Sequence, residues 1–161
     1  MILFHFPVDR GDRVVVLGAH VGDEVERLAE RVGRLGVVLA LEPEDRNYWD
    51  LRQRVIGVTQ VKPLHFAIWG SDGSVRLSVG TNSTNHSLVK EWGRGSEVVE
   101  AVTWDTLTAK YGEFKLCVMD IEGAEAEVIR TMTARLPKFL IVEYHTKFGI
   151  DPDALVKALE G

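Results

Sequence analysis

The chain has 161 residues, which suffices for one domain around one hydrophobic core. It holds 24 acidic and 19 basic residues, a net charge of −5 without a basic block, which disfavours a nucleic-acid partner. No apolar run reaches the roughly 20 residues of a membrane-spanning helix, and the single cysteine, Cys117, excludes an intramolecular disulfide. We therefore expect one cytoplasmic domain over residues 1–161, with no membrane partner. Scarce Asn and Gln favour a thermophilic source.

The first unit of the chain predicts a strand, a turn and a helix. The apolar run from Arg13 to Leu17 is typical of a buried parallel strand. It ends in the loop Gly18-Ala19-His20-Val21-Gly22. An apolar stripe at helical spacing follows, formed by Val25, Leu28, Ala29 and Val32.

The second unit repeats this order. A strand is predicted from Val37 to Leu41, closed by Glu42-Pro43. The next apolar stripe predicts a second helix through Tyr48, Leu51, Val55 and Ile56. A third strand is predicted from Val61 to Ile68, where Pro63 favours an edge position because proline cannot donate to a ladder.

The middle of the chain has a different pattern. Apolar and polar residues alternate around Val75, Leu77 and Val79, and again from Val98 to Val102, which predicts antiparallel or half-exposed strands. The polar stretch from Gly80 to Gly95 lies between them. A loop of this length is either functional or disordered, and the sequence leaves both open.

The parallel pattern then returns. A strand from Phe114 to Met119 ends at Asp120, and a strand from Phe139 to Val142 ends in Glu143-Tyr144-His145. Helices are predicted through Ala124, Val128, Ile129 and Met132, and from Asp151-Pro152 onward. Alternating strands and helices predict an α/β fold with a mostly parallel, doubly wound, Rossmann-like sheet.

Ligands of such sheets bind outside the carboxyl ends of the strands. The loop from Gly18 to Gly22 has small residues that allow a ligand to approach the backbone, next to the N–H groups of a helix start. Glu42, at the end of the second strand, suits the two hydroxyls of an adenosine ribose. A dinucleotide is disfavoured, because His20 and Asp23 stand where its pyrophosphate loop needs glycine.

The sequence resembles the FkbM family of methyltransferases from about residue 11 to 145. The segments that carry the resemblance are Gly11–Asp23, Ala40–Pro43 with Asn47, Phe66–Gly70, Val102–Leu107, Met119–Glu125 and Ile141–His145. The D-x-E-G-x-E element from Asp120 to Glu125 and the closing E-x-H of Glu143 and His145 are its most specific parts.

The resemblance implies a class I methyltransferase fold, S-adenosylmethionine as donor and O-methylation of a hydroxyl on a small molecule or glycan. Gly18, Ala19 and His20 would line the methionine part of the donor, with Gly22 closing the loop. Glu42 would hold the ribose, and Phe66 and Ala67 would border the adenine.

Three positions depart from the family's pattern, one of them His20, which stands in place of a usual asparagine in the loop. Val16 replaces a usual acid that helps to hold the methionine ammonium, and Val118 replaces a usual lysine. Asp120 or Asp23 is a candidate to substitute for the acid. The chain also ends soon after the fifth strand, so we expect it to lack the C-terminal antiparallel strand pair, which suggests a homodimer that covers the sheet edge.

The candidate catalytic residues are His145, Glu143, Asp120 and Glu122. A histidine has a pKa near 6.5 and suits the role of base, while Glu143 would orient it or bind the acceptor. A divalent cation held by these carboxylates and His145 is a weaker alternative, and no metal ligand is assigned. The competing function is a non-catalytic relative of the same fold that binds the donor weakly or not at all.

Overall fold

The computed structural model describes residues 8–78, 87–88, 95–143, 153 and 156–157. In chain order its elements are β1 (Arg13–Leu17), α1 (Asp23–Val32), β2 (Val37–Leu41), α2 (Asp45–Arg54), β3 (Val61–Leu64), β4 (Ala67–Ile68), β5 (Gly73–Ser78), β6 (Ser96–Val102), α3 (Trp104–Tyr111), β7 (Leu116–Met119), α4 (Glu125–Arg130) and β8 (Phe139–Val142).

The larger sheet has five parallel strands in the order β3-β2-β1-β7-β8, which confirms the predicted doubly wound α/β sheet. Successive residues of β1 face opposite sides. Val14 and Val16 pack against α1 and α2, whereas Val15 and Leu17 pack against α3 and α4. Each such fully buried side chain contributes about 1.5–3 kcal/mol relative to an exposed one.

The predicted third strand is two strands in the structure. β3 lies at the sheet edge beside β2, as Pro63 indicated. The chain leaves that sheet at His65 and Phe66, and β4 pairs in parallel with β6 in a second sheet of order β4-β6-β5. The predicted antiparallel pairing holds between β5 and β6.

The helix α3 was missed at the sequence level. Its N-cap is Thr103, whose side chain accepts a hydrogen bond from the Thr106 N–H at 3.2 Å. Trp104, Leu107 and Thr108 are buried at helical spacing. The cap and the i, i+3, i+4 pattern were signals that could have identified the helix.

Two predicted stripes run past the helix ends. Ile56 lies beyond α2 and is 71% exposed, because the helix stops at Arg54 before Gly57, whose φ is +80°. Met132 is buried, but it follows the end of α4. The stripe of α1 is buried as predicted, and α1 ends at Gly33.

Several predictions fall largely outside the described residues. These include most of the polar stretch from residue 80 to 95 and most of the helix predicted from residue 151, of which Asp153, Val156 and Lys157 are helical. Within the described part of the chain, no helix is long and apolar enough to cross a membrane. The single-domain, cytoplasmic and homodimer expectations, and the absence of a C-terminal strand pair, stay predictions.

Candidate functional site

Four neighbouring strand ends meet at one edge of the larger sheet. The ladder continues one residue past the strands: Glu42 N–H donates to Leu64 O at 3.1 Å, Asp120 N–H to Leu17 O at 3.0 Å and Glu143 N–H to Met119 O at 2.9 Å. From Glu42 to Glu143 this edge spans three strand spacings, about 14 Å. An elongated ligand can therefore touch all four ends.

The loop after β1 is held by its own neighbours. Gly18 N–H and Ala19 N–H both donate to Leu41 O, at 3.0 and 2.8 Å, so neither is left for a ligand. Glycine at position 18 is required by the end of β7: φ is +81°, and an added Cβ would lie 1.8 Å from Asp120 O. The structure thus shows close approach of a neighbouring strand end at Gly18, and the approach of a ligand to its backbone stays a prediction.

Glu42 links this loop to the turn that begins α2. Its carboxylate accepts hydrogen bonds from His20 N–H at 2.8 Å and Glu44 N–H at 3.0 Å, and the Asn47 side chain also bonds to it. The side chain is 5% exposed. Since a carboxylate offers about four lone-pair positions and these three donors use three, capacity remains for a ligand hydroxyl.

The loop after β7 is fixed by a buried glutamate. Glu125, the last acid of the D-x-E-G-x-E element, is 0% exposed. Its carboxylate accepts from Gly123 N–H at 3.2 Å and from Ile121 N–H at 3.4 Å. Glu122 lies between these groups with φ +49°, a left-handed conformation that is uncommon for residues other than glycine. Within the motif, Glu125 therefore stabilises the loop, whereas Glu122 lines a cavity at the strand ends.

A cavity of about 300 Å³ opens at these strand ends, within the size range of small-molecule sites. It brings together most of the predicted site residues: Gly18, Ala19, His20, Glu42, Phe66, Ala67, Asp120, Glu122 and Glu143. Val16 and Val118, which like His20 depart from the family pattern, also line it.

Among the described residues, one predicted site residue, Gly22, does not line the cavity. Gly22 is the N-cap of α1, where an added Cβ would lie 2.7 Å from Leu51 Cδ1, so its glycine serves the packing of α2 on the loop. His145 lies outside the described residues. Within the described ranges, no group of three or more His, Cys, Asp or Glu side chains is placed to hold a metal ion.

Sequence reasoning missed part of the cavity wall. Leu77 of β5 and Leu88 line it, and both come from the middle segment rather than from the five-stranded sheet. Asn47, noted only as part of the family pattern, lines the cavity beside Glu42. The alternating pattern of β5 gave the strand but not its position, because position depends on tertiary packing.

The cavity is strongly acidic. Six of its lining side chains are carboxylic acids, namely Asp23, Glu24, Glu42, Asp120, Glu122 and Glu143, and none of the described lining residues is Lys or Arg. Burial raises the pKa of Glu42 to about 7, against the two backbone N–H groups that lower it. Burial, and then the nearby Glu143 carboxylate, also raise the pKa of Glu24. Such a lining favours a ligand with positive charge.

The sequence profile of the FkbM methyltransferase domain matches residues 17–159. The chain belongs to the FkbM methyltransferase family. The donor of this family is S-adenosylmethionine, and no curated protein sequence matches the chain closely enough to refine its place within the family.

Solved structures agree with this FkbM domain in fold. The chain is similar to the FkbM methyltransferase of Methylobacillus flagellatus at a TM-score of 0.56 and 15% identity, covering 81% of this chain and 30% of that one. Aeropyrum pernix fibrillarin, solved with natively bound S-adenosyl-L-methionine, matches at a TM-score of 0.57 and 15% identity, covering 98% of this chain and 59% of that one. A fibrillarin–Nop5p complex matches at a TM-score of 0.60 and 18% identity, covering 98% of this chain and 65% of that one.

These similarities confirm the predicted class I methyltransferase fold. The FkbM domain spans less than two thirds of each of these chains, and only about a third of the family member. The identities are low, so the fold is what the solved structures share with this chain.

Proposed function

We propose that this FkbM domain transfers the methyl group of S-adenosylmethionine to a hydroxyl of a small molecule or glycan. The observation that carries the proposal is the buried Glu42 carboxylate, fixed by His20 N–H and Glu44 N–H at the edge of an acidic cavity. A carboxylate in this position suits a hydroxyl of the adenosine ribose.

The cavity lining fits the rest of the donor. S-adenosylmethionine supplies an electrophilic methyl group on a positively charged sulfonium, and the carboxylates around the cavity favour that charge. Phe66, Ala67 and Ile68 offer an apolar wall next to Glu42 for the adenine. A dinucleotide pyrophosphate would instead meet several carboxylates, which disfavours an oxidoreductase.

An acid is still needed for the methionine ammonium, because Val16 cannot supply it. Asp23 and Asp120 both line the cavity. Asp23 is 68% exposed and forms an ion pair with Arg54. We assign the ammonium to Asp120, which stands at the end of β7 directly beside the Gly18 loop.

The acceptor would enter on the side of Glu122 and Glu143. Positioning of the acceptor hydroxyl against the methyl group would lower the activation barrier by several kcal/mol. A base that takes the hydroxyl proton would raise the rate by a further factor of about 10² to 10⁴. His145 is the proposed base, two residues after Glu143 along the chain. Glu143 would bind or orient the acceptor, as its place at the end of β8 allows.

The charge of the cavity supports an acceptor without phosphate or carboxylate near its reacting hydroxyl. Close approach of an anion to Glu24, Glu122 and Glu143 would be repulsive in a partly buried site. Together with the net charge of −5, this supports a neutral small molecule or glycan and opposes a nucleic acid.

Titration calorimetry with S-adenosylhomocysteine tests the proposal. We expect micromolar binding by the wild type and a loss of at least about tenfold in Glu42→Ala, because a charge-assisted hydrogen bond contributes about 1.5–3 kcal/mol. Glu30→Ala, an exposed position on α1, is the matched control and should bind like the wild type.

Absence of binding by the wild type would overturn the proposal and leave a methyltransferase fold without its cofactor. Preference for NAD over S-adenosylhomocysteine would favour the oxidoreductase instead. Equal binding by Glu42→Ala and the wild type would place the ribose elsewhere.

A further inference from the structure

The segment that follows β5 returns to that strand at one buried residue. Ser87 and Ser78 exchange two backbone hydrogen bonds, Ser78 N–H to Ser87 O at 2.9 Å and Ser87 N–H to Ser78 O at 3.1 Å. Both serines are buried, at 1% and 7% exposure. The backbone at Ser87 is therefore fixed against β5.

The Ser87 side chain reaches the loop after β7. Its hydroxyl donates a hydrogen bond to Glu122 O at 2.8 Å, joining residues 35 positions apart. This contact connects the smaller sheet to the D-x-E-G-x-E loop of the larger one. Removal of this donor would cost the Glu122 carbonyl its hydrogen bond to the protein at a part-buried position.

Glu122 is thus held from two directions. The Glu125 carboxylate bonds to the N–H groups of Ile121 and Gly123, the residues on either side of Glu122, while Ser87 bonds to its carbonyl. The left-handed φ of +49° costs about 1–2 kcal/mol for a residue with a Cβ. Such a conformation persists only where its surroundings fix it.

The same bridge also shapes the cavity. Leu77 precedes Ser78 and Leu88 follows Ser87, and both leucines line the cavity that Glu122 faces. Glu42 and the Gly18 loop are fixed by other contacts, from β2 and α2. The Ser78–Ser87 bridge therefore acts on the Glu122 side of the cavity and not on the ribose side.

We propose that Ser87 is a positioning residue: its hydroxyl fixes the left-handed conformation of Glu122 and so sets the acceptor half of the site. This role rests on the proposed function for its meaning in methyl transfer. The hydrogen bond itself, and its effect on the loop, can be measured without a known acceptor.

Amide hydrogen exchange of the full chain, followed by NMR, tests this role. In Ser87→Ala we expect the amides of Ile121 and Gly123 to exchange about tenfold faster, with altered chemical shifts, because the loop loses one of its anchors. Ser87→Thr retains the hydroxyl and should restore wild-type exchange. Ser74→Ala, an exposed serine on β5, is the matched control and should leave the loop unchanged.

Calorimetry with S-adenosylhomocysteine separates this inference from the proposed function. Ser87→Ala should bind it within about twofold of the wild type, because other contacts fix Glu42, and the hydrogen bond from Asp120 N–H to Leu17 O holds the residue assigned to the ammonium. Exchange at Ile121 and Gly123 that is unchanged in Ser87→Ala, or equally fast in Ser87→Thr, would overturn the positioning role. Loss of binding in the wild type would overturn the proposed function and leave the exchange result standing.

Discussion

Val16 of β1 and Val118 of β7 are direct partners in the parallel ladder, and both line the cavity. They are 2% and 5% exposed. These are the two positions at which FkbM sequences usually carry an acid and a lysine. The register couples the two replacements, because replacing only the acid or only the lysine would leave the other charge buried beside an apolar neighbour.

This pairing predicts a strong coupling between the two positions. Val16→Asp alone should lower the free energy of unfolding by about 3 kcal/mol, since it buries a carboxylate without a cation. Val118→Lys alone should be destabilising for the same reason. The double variant should be more stable than the sum of the two single effects by at least about 1 kcal/mol, measured by denaturant unfolding. Additive effects would contradict the pairing.

Gly18 should be among the least replaceable residues of the chain. In Gly18→Ala the added Cβ would meet Asp120 O at 1.8 Å, so β1 and β7 must move apart at their carboxyl ends. We expect a loss of more than about 3 kcal/mol in the free energy of unfolding, and loss of S-adenosylhomocysteine binding.

Gly57 provides the matched control for Gly18. Its φ of +80° is almost the same, but no atom lies within 4 Å of the position of an added Cβ. Gly57→Ala should therefore lose only the conformational part, about 1–2 kcal/mol, and should retain binding. Equal losses in the two variants would show that backbone conformation, and not contact with Asp120, governs position 18.

The sequence predicted the part of the site that follows strand ends. Glu42, Asp120 and Glu143 each follow a short apolar run, and parallel strands bring their carboxyl ends to one edge. The apolar runs were sufficient there because they are continuous, and those of β2 and β7 are buried on both faces in the structure.

The rest depends on contacts between distant segments. Asp120 O packs closely against Gly18, about 100 positions away in the sequence. The Ser87 hydroxyl bonds to Glu122 O, 35 positions away. Neither pair leaves a local pattern in the sequence. The break between β3 and β4 likewise depends on a distant segment, because Ala67 and Ile68 pair with β6 in the second sheet.

His65 should support ribose binding from outside the cavity. Its ring stacks on Tyr48 with centroids 4.4 Å apart, and its Nε2 lies 2.9 Å from Pro43 O, next to Glu42. With Nε2 protonated, His65 donates to that carbonyl and holds the turn. His65→Ala should weaken S-adenosylhomocysteine binding about fivefold, the effect of one hydrogen bond, in calorimetry.

His65→Gln separates the hydrogen bond to Pro43 O from the stack on Tyr48. Glutamine can still donate a hydrogen bond to Pro43 O, but it cannot stack on Tyr48. Binding close to that of the wild type would assign the effect to the hydrogen bond, and binding as weak as in His65→Ala would assign it to the stack. Unchanged binding in both variants would remove His65 from the site.

The pKa of Glu42 predicts how stability depends on pH. Burial raises this pKa to about 7 in the folded chain, from the ordinary 4.5. A carboxyl with a raised folded pKa binds its proton more tightly when folded, so the stability it contributes is complete below pH 4.5 and is lost as the pH rises to about 7. Glu42→Gln, which cannot ionise, should lack this decline, so the wild type should lose stability relative to the variant between pH 4.5 and about 7 in denaturant unfolding.

Donor binding should have the opposite pH dependence. A ribose hydroxyl donates to the ionised Glu42 carboxylate, and this ionised form is the minor one at pH values below its pKa of about 7. From pH 8 to pH 6 the affinity for S-adenosylhomocysteine should therefore fall about tenfold, as one proton must be released for binding. In Glu42→Gln the affinity should be lower at pH 8 and constant across this range. A wild-type affinity that does not change between pH 6 and 8 would mean that Glu42 binds the ribose without titrating, or that the ribose does not contact it; the loss of binding in Glu42→Ala distinguishes the two.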